Sequence, residues 1–155
     1  MEINVVCVGT LKEKYLKDAV SEYQKRISGF CKINVIEVKD VDFGEGEGNI
    51  LKSKKQEAEL LKKYKKGFNI ALEIEGENFT SPALAKTLKN IFDNKNSTIT
   101  FFIGGSNGID RDFSDSLDMK LSFSKLTFPH QLMRVILLEQ IYRCMMINSN
   151  RSYHK

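Results

Sequence analysis

The sequence predicts one α/β domain over residues 1–155, built on a mainly parallel sheet flanked by helices. Three observations lead there. Short β-branched runs alternate with segments of helical periodicity from end to end. No linker or low-complexity segment interrupts them. At 155 residues the chain has the length of a single domain with one substantial core.

The first element, "INVVCVG", is a compact β-branched run closed by Gly9, as a buried strand requires. From Glu13 to Ile27 the apolar residues Leu16, Ala19, Val20, Tyr23 and Ile27 fall at helical spacing. "KINVIEV" is a second strand whose inner face is ambiguous, because Ile33, Val35 and Glu37 alternate with Asn34 and Ile36. The glycine- and acid-rich "DVDFGEGEGN" reads as a mobile loop before a helix from about Ile50 to Tyr64. "FNIALEI" is a third strand ending at Gly76. Ser81-Pro82 then opens a helix, serine as the cap and proline at the first helical position, with Leu84, Leu88, Ile91 and Phe92 inward. "STITFFI" is a fourth strand that delivers the chain into Gly104-Gly105. A short acidic turn or helix (Asp110, Asp112, Asp115, Asp118) precedes "KLSFSKLTFPH", a strand running into a loop. A helix from Gln131 to about Ile147 and a polar tail, "NSNRSYHK", complete the chain.

Composition narrows the function. The hydrophobic fraction of 41% is that of a globular protein, and no apolar run is long enough to span a bilayer. The N-terminus lacks the marks of a signal peptide. Cys7, Cys31 and Cys144 form no CxxC pair. These features predict a reduced, cytoplasmic protein without a membrane. The net charge is +4 but unevenly placed. Seven lysines between Lys52 and Lys66 face only Glu57 and Glu59, a pattern that solvation of a helix face explains. From Met119 onward Lys120, Lys125, Arg134, Arg143, Arg151 and Lys155 oppose Glu139 alone, which favours a polyanionic partner such as RNA.

In "LMRVILLEQIYRCMMI" apolar residues occupy two faces: Leu132, Val135, Leu138 and Tyr142, and then Met133, Ile136, Leu137 and Ile141. Such a helix is either wedged between neighbours in one chain or packed against a second copy. The second arrangement is the expectation here.

Several chemistries are excluded. GxxxxGK[ST], GxGxxG and GxSxG are absent, and His130 and His154 stand far apart without a cluster of metal ligands. "FFIGGSNGID" at the end of the fourth strand is thus no phosphate cradle. It is either a plain turn or a loop where a neutral or zwitterionic adenosine compound meets backbone. In the second case a Cβ at Gly105 would keep the ligand off.

Five stretches occurring in order, "VVCVGTLKEKYL", "LEIEGENFTSPALA", "FFIGGSNGI", "LSFSKLTFPHQLMRVILLEQIYR" and the terminal "SYHK", resemble the RlmH family of rRNA methyltransferases, a small branch of the SPOUT superfamily. The likeness covers essentially the whole chain. It implies a C-terminal trefoil knot, a homodimer, and no metal. The implied reaction moves a methyl group from S-adenosyl-L-methionine to ring nitrogen 3 of a pseudouridine in large-subunit rRNA (23S rRNA), on the assembled ribosome.

Carried over by residue, Leu72 packs on the cofactor and Gly105 admits it to the main chain. Ser124, Lys125, Leu126, Thr127, Phe128 and Pro129 form the loop that wraps the adenosine. The resemblance also implies that His154 handles a proton or orients the substrate while Tyr153 stacks on a base. Arg134, Arg143 and Lys155 are expected to meet RNA. Family members commonly end in Tyr-His-Arg; Lys155 keeps the charge without the guanidinium fork.

Overall fold

The computed structural model describes residues 1–153. Five strands form one parallel sheet: β1 (Glu2–Val8), β2 (Lys32–Val38), β3 (Phe68–Asn78), β4 (Thr98–Ile103) and β5 (Met119–Ser122). Their order across the sheet is β2-β1-β4-β3-β5. The inner strands β1 and β4 are buried on both faces, which is why they read as largely apolar, with Asn4, Thr98 and Thr100 as buried polar exceptions. Helices α1 (Lys14–Ser28), α3 (Ser81–Asp93) and α5 (His130–Asn148) cover one face, over Val5, Cys7, Ile70, Ile99 and Phe101. Helices α2 (Glu47–Lys62) and α4 (Arg111–Asp115) cover the other, over Val6, Val8, Ala71 and Phe102. Parallel strands joined by crossovers demand this two-sided cover.

Every predicted element is present, with shifts that have local causes. The glycine- and acid-rich stretch is only partly loop. α2 already begins at Glu47, whose charge lies in the first helical turn, where the helix dipole favours it. The cap of α3 is Thr80 and not Ser81. Thr80 Oγ1 accepts the Ala83 N–H at 3.3 Å, while Ser81 Oγ donates to Gln140 Oε1 at 2.9 Å. The acidic segment resolves into α4, capped by Asp110, whose carboxylate accepts the Phe113 N–H at 3.1 Å. β3 runs past Gly76 to Asn78, and β5 is only four residues long. The ambiguity of β2 is settled by Glu37, which shares the face of Ile33 and Val35 and meets α5.

α5 packs against both α1 and α3. Its buried stripe, Arg134, Leu137, Leu138, Ile141, Cys144 and Met145, takes residues from both expected faces. One chain therefore covers most of this helix by itself, and the two-faced pattern alone does not require a second copy. What remains outward is Leu132 (38% exposed) and the half-buried Ile136, Glu139, Arg143 and Met146.

Candidate active site

The carboxyl ends of β3, β4 and β5 open into a cavity of about 710 Å³. This is where an open parallel sheet places its ligands, because the connecting loops diverge there. Three walls meet. Leu72 and the segment after it come from β3, Ile103 to Ile109 from the end of β4, and Phe123 to Phe128 from the loop after β5. His130 and Met133, on the first turn of α5, close the side facing α1 and α3.

Each wall has a local origin. β3 slips register against β5: Leu72 and Glu77 both pair with Leu121, so Glu73, Ile74, Glu75 and Gly76 bulge out between them. The bulge sends Glu73, Ile74 and Glu75 to the cavity. Gly76 permits it, because a Cβ there would lie 2.6 Å from the Leu121 carbonyl carbon. In the β4 loop the Gly108 N–H donates to Gly105 O at 3.0 Å, and the two residues form an antiparallel bridge. Gly108 has φ +81°, and a Cβ on Gly104 would lie 2.5 Å from the Gly108 carbonyl carbon. The third wall is fixed by Ser122 Oγ donating to Ser124 O (3.1 Å), Ser124 Oγ accepting the Leu126 N–H (2.9 Å), and Asn78 Nδ2 donating to Ser122 O (3.0 Å).

The fold brings Leu72, Gly105, Ser124, Leu126, Thr127 and Phe128 to one cavity. Lys125 and Pro129 do not line it; Pro129 serves as the cap of α5. The reason given for Gly105 changes. A Cβ there points at Val8 Cγ1 (3.2 Å) and at both carboxylate oxygens of Glu57 (3.5 Å), into the interior. Gly104 and Gly108, which the sequence reading placed in the loop without a role of their own, are the residues whose backbones touch. The β3 bulge was also missed, although a glycine inside a strand pattern is its usual signal.

Arg134 is a correction. Its side chain is fully buried and offers nothing to RNA. The guanidinium pairs with Glu37 Oε1 at 2.8 Å and donates to Val8 O and Gly9 O at 2.9 and 2.7 Å. Glu37 Oε1 also accepts the Leu11 N–H at 2.9 Å, so this pair ties β1, β2 and α5 together behind the cavity. Beside it, burial lowers the pKa of His130, helped by the Arg134 charge and opposed by Asp40. The ring is therefore held towards its neutral form.

Arg143 and Tyr153 lie elsewhere. Arg143 donates through Nε (3.0 Å) and Nη2 (2.6 Å) to Glu139 Oε1, which also accepts from the Tyr153 hydroxyl at 3.4 Å. The Tyr153 ring stands edge-on to Tyr142 with centroids 5.0 Å apart. At about 1.5 Å per residue, Tyr142 is about 18 Å along α5 from His130, so this group is remote from the cavity of its own chain. His154 and Lys155 lie outside the described residues. Among the described residues no group of three or more His, Cys, Asp or Glu side chains could hold a metal ion, and no helix is long and apolar enough to cross a membrane.

An all-parallel sheet with a glycine-lined cavity at its strand ends belongs, in this chain, to a SPOUT methyltransferase: the family model described as "Predicted SPOUT methyltransferase" matches residues 1–154. Two solved structures share the fold. One is "a probable methylase family protein" from Haemophilus influenzae, with TM-score 0.57 and 10% identity, covering 99% of this chain and 70% of that one. The other is tRNA (m1G37) methyltransferase from Aquifex aeolicus, with TM-score 0.51 and 15% identity, covering 92% and 70%. Closer in sequence are proteins named ribosomal RNA large subunit methyltransferase H. That of Fusobacterium nucleatum is 44% identical and that of Bifidobacterium animalis 48%, each over the full length of both chains. The chain belongs to this RlmH family of SPOUT methyltransferases.

Proposed function

We propose that the protein transfers a methyl group from S-adenosyl-L-methionine to ring nitrogen 3 of a pseudouridine in large-subunit rRNA, acting on the assembled ribosome in the cytoplasm. The observation that carries the reading is the cavity at the strand ends. Its apolar wall (Leu72, Ile103, Leu121, Phe123, Leu126, Phe128) and the backbone of Gly104–Ile109 suit an adenine and its ribose. Leu126 is 70% and Phe128 36% exposed, apolar surface that a bound adenosine would cover. The lining also mixes signs: Glu73, Asp115, Arg111 and Lys120 pair with one another there, and charges of both signs are what a zwitterionic aminocarboxylate requires. The residues present therefore fit the donor.

When bound, that cofactor supplies an electrophilic methyl sulfonium. The chain has two tasks: to hold the nucleotide in line with the methyl, and to take the proton from its nitrogen. Tyr153 is assigned to stacking on the base, His154 to the proton, and Arg143 and Lys155 to phosphate. The distance along α5 from His130 to Tyr142, with Arg143 and Tyr153 beside it, supports a reading in which these residues serve the cavity of a second copy. The protein acts as a homodimer in which one copy supplies the cavity and the other the tail, with Leu132, Ile136 and Met146 at the seam. A knotted passage of the C-terminal segment belongs to the same reading.

The test is to incubate the protein with labelled S-adenosyl-L-methionine and either ribosomes or free rRNA, and to identify the labelled nucleoside. Label on a pseudouridine of the large subunit, with ribosomes preferred, is the expected result. Label on another base, or donor binding with no transfer to any RNA, refutes the proposal. Light scattering that shows only monomer at assay concentration refutes the dimer.

A further inference from the structure

The seven lysines between Lys52 and Lys66 look alike in the sequence but meet different surroundings in the fold. Lys62 pairs with Glu59 and Lys66 with Glu2, Lys65 donates to Ser116 O at 3.1 Å, and Lys52 sits 4.4 Å over the Phe43 ring. Lys55 and Lys63 are exposed. Lys54 differs from all of these, because it is half-buried and lines the cavity together with Gly105, Ser106 and Asn107. α2 lies directly against that wall: both Glu57 carboxylate oxygens stand 3.5 Å from where a Cβ on Gly105 would be, and Lys54 is one turn earlier on the same helix.

The other permanent cations of the cavity are already matched. Arg111 pairs with Asp115, and Lys120 with Asp115 and Glu73. Lys54 has no ion pair or hydrogen bond among the described residues. Glu57, three residues on, is buried and turns its carboxylate to the Val41 N–H at 3.0 Å, and Glu59 is taken by Lys62. The exposed side chains of Ser106 and Asn107 are likewise without a partner among the described residues. Paired charges of both signs suit a zwitterion. A cation with no acid at its side suits an anion that carries no cation of its own, and a partly buried one is screened less by salt than a surface lysine. In an RNA substrate that anion is the backbone phosphodiester, which lysine meets as a point charge while hydroxyl and amide groups donate to its oxygens.

We infer that Lys54, with the side chains of Ser106 and Asn107, forms a phosphate subsite at the cavity that holds the backbone of the nucleotide being methylated. The inference rests on the reading that the substrate is RNA. It brings into the RNA surface a helix whose lysines the sequence explains by solvation alone. α2 packs over Val6, Val8 and Phe102, on the face of the sheet opposite to α5, so a seam between copies along α5 does not cover this wall.

Equilibrium binding of the whole protein to ribosomes, over a range of salt, tests it independently of catalysis. Lys54→Gln should weaken binding about tenfold and reduce the salt slope by about 0.7, the share of one phosphate contact. Lys54→Arg, which keeps the charge, should retain most of both. Asn107→Ala should weaken binding with the salt slope unchanged, because it removes a neutral group. Affinity for S-adenosyl-L-methionine and the urea midpoint should be those of the parent in all three. Lys95→Gln, in the loop before β4 at the opposite edge of the sheet, is the control and should bind as the parent does. Parent-like affinity and salt slope in Lys54→Gln overturn the inference. So does a loss of affinity for S-adenosyl-L-methionine in that variant, which would place Lys54 on the carboxylate of the methyl donor, or a fall in its urea midpoint that accounts for the weaker binding. Ribosome binding that depends on Lys54 without methyl transfer to RNA would refute the proposed reaction and uphold the inference.

Discussion

Replacing Gly104 and Gly105 by alanine, one at a time, separates the two roles a glycine can play at the cavity. At Gly104 the new methyl carbon would sit 2.5 Å from the Gly108 carbonyl carbon, 2.6 Å from its oxygen and 2.7 Å from the Ile109 nitrogen. All three are backbone atoms, so no side chain can turn aside. Restoring ordinary contact near 3.5 Å means moving the loop by about 1 Å. Overpacking of this kind costs about 1–3 kcal/mol. For a domain of this size that lowers the midpoint of thermal unfolding by about 2–10 °C. The same displacement moves the loop backbone that faces the ligand. A loss of about 1.4 kcal/mol there is a tenfold weaker affinity for S-adenosyl-L-methionine.

At Gly105 the methyl would meet Val8 Cγ1 at 3.2 Å and the Glu57 carboxylate at 3.5 Å. Those are side-chain ends, and a few tenths of an ångström suffice. The expected cost is below about 1 kcal/mol, with donor affinity changed less than about threefold. Titration calorimetry with the donor and thermal denaturation read both effects. If Gly105→Ala abolished binding while Gly104→Ala retained it, the ligand would approach from the Cβ side of Gly105, and this account of the loop would be wrong.

Other perturbations test the surroundings of the site. Arg134→Met should cost about 3 kcal/mol in urea unfolding, because it strands Glu37 and two carbonyl oxygens; a specific loss of RNA affinity at unchanged stability would instead restore Arg134 to the RNA surface. His130 has a lowered pKa in the folded state, so its contribution to stability is fully present above the unfolded value near 6.5 and is lost as pH falls through the interval below it. His130→Gln should flatten the urea midpoint between about pH 7 and 5; an unchanged pH profile would contradict this. Thr80→Ala should lower stability by about 1 kcal/mol through loss of the α3 cap, while Ser81→Ala should not reproduce that cap effect. Burial pushes the Cys7 and Cys144 thiols up to about 12 and Cys31 to about 11, so a thiol reagent should label the native protein slowly and the urea-unfolded chain at once.

The alternation of strands and helices was legible because it is written in local periodicity. β1 and β4 needed nothing more than their apolar runs, and α1 nothing more than its spacing. Element edges were less legible where two residues competed for one task. Thr80 and Ser81 can each cap a helix, and only the position of Gln140 on α5 draws Ser81 away. α2 begins inside a glycine-rich stretch because its acidic first turn suits a helix N-terminus, a preference that composition alone hides.

The site was legible in part for a similar reason. Leu72 lies within β3, and the Gly104–Gly108 loop and Ser124–Phe128 each follow a strand, so parallel pairing was enough to predict that they meet. Arg134 could not be read correctly, since an arginine five residues past Pro129 looks like a free cation until Glu37 and the Val8 and Gly9 carbonyls are placed around it. Nor could the contacts of Tyr23 and Arg26 with α5 be read, because Tyr142, which both of them meet, is more than a hundred residues away in the chain.

By itself, then, the sequence determined which segments are strands and helices, that the strands run parallel, and which loops converge at their ends; short-range sterics and the period of burial suffice for that. The tertiary structure decided which glycines are indispensable, which arginine is core and which is surface, and that Arg143 and Tyr153 lie far from the cavity of their own chain. Those outcomes depend on distances between residues remote in the chain, and periodicity carries no record of them.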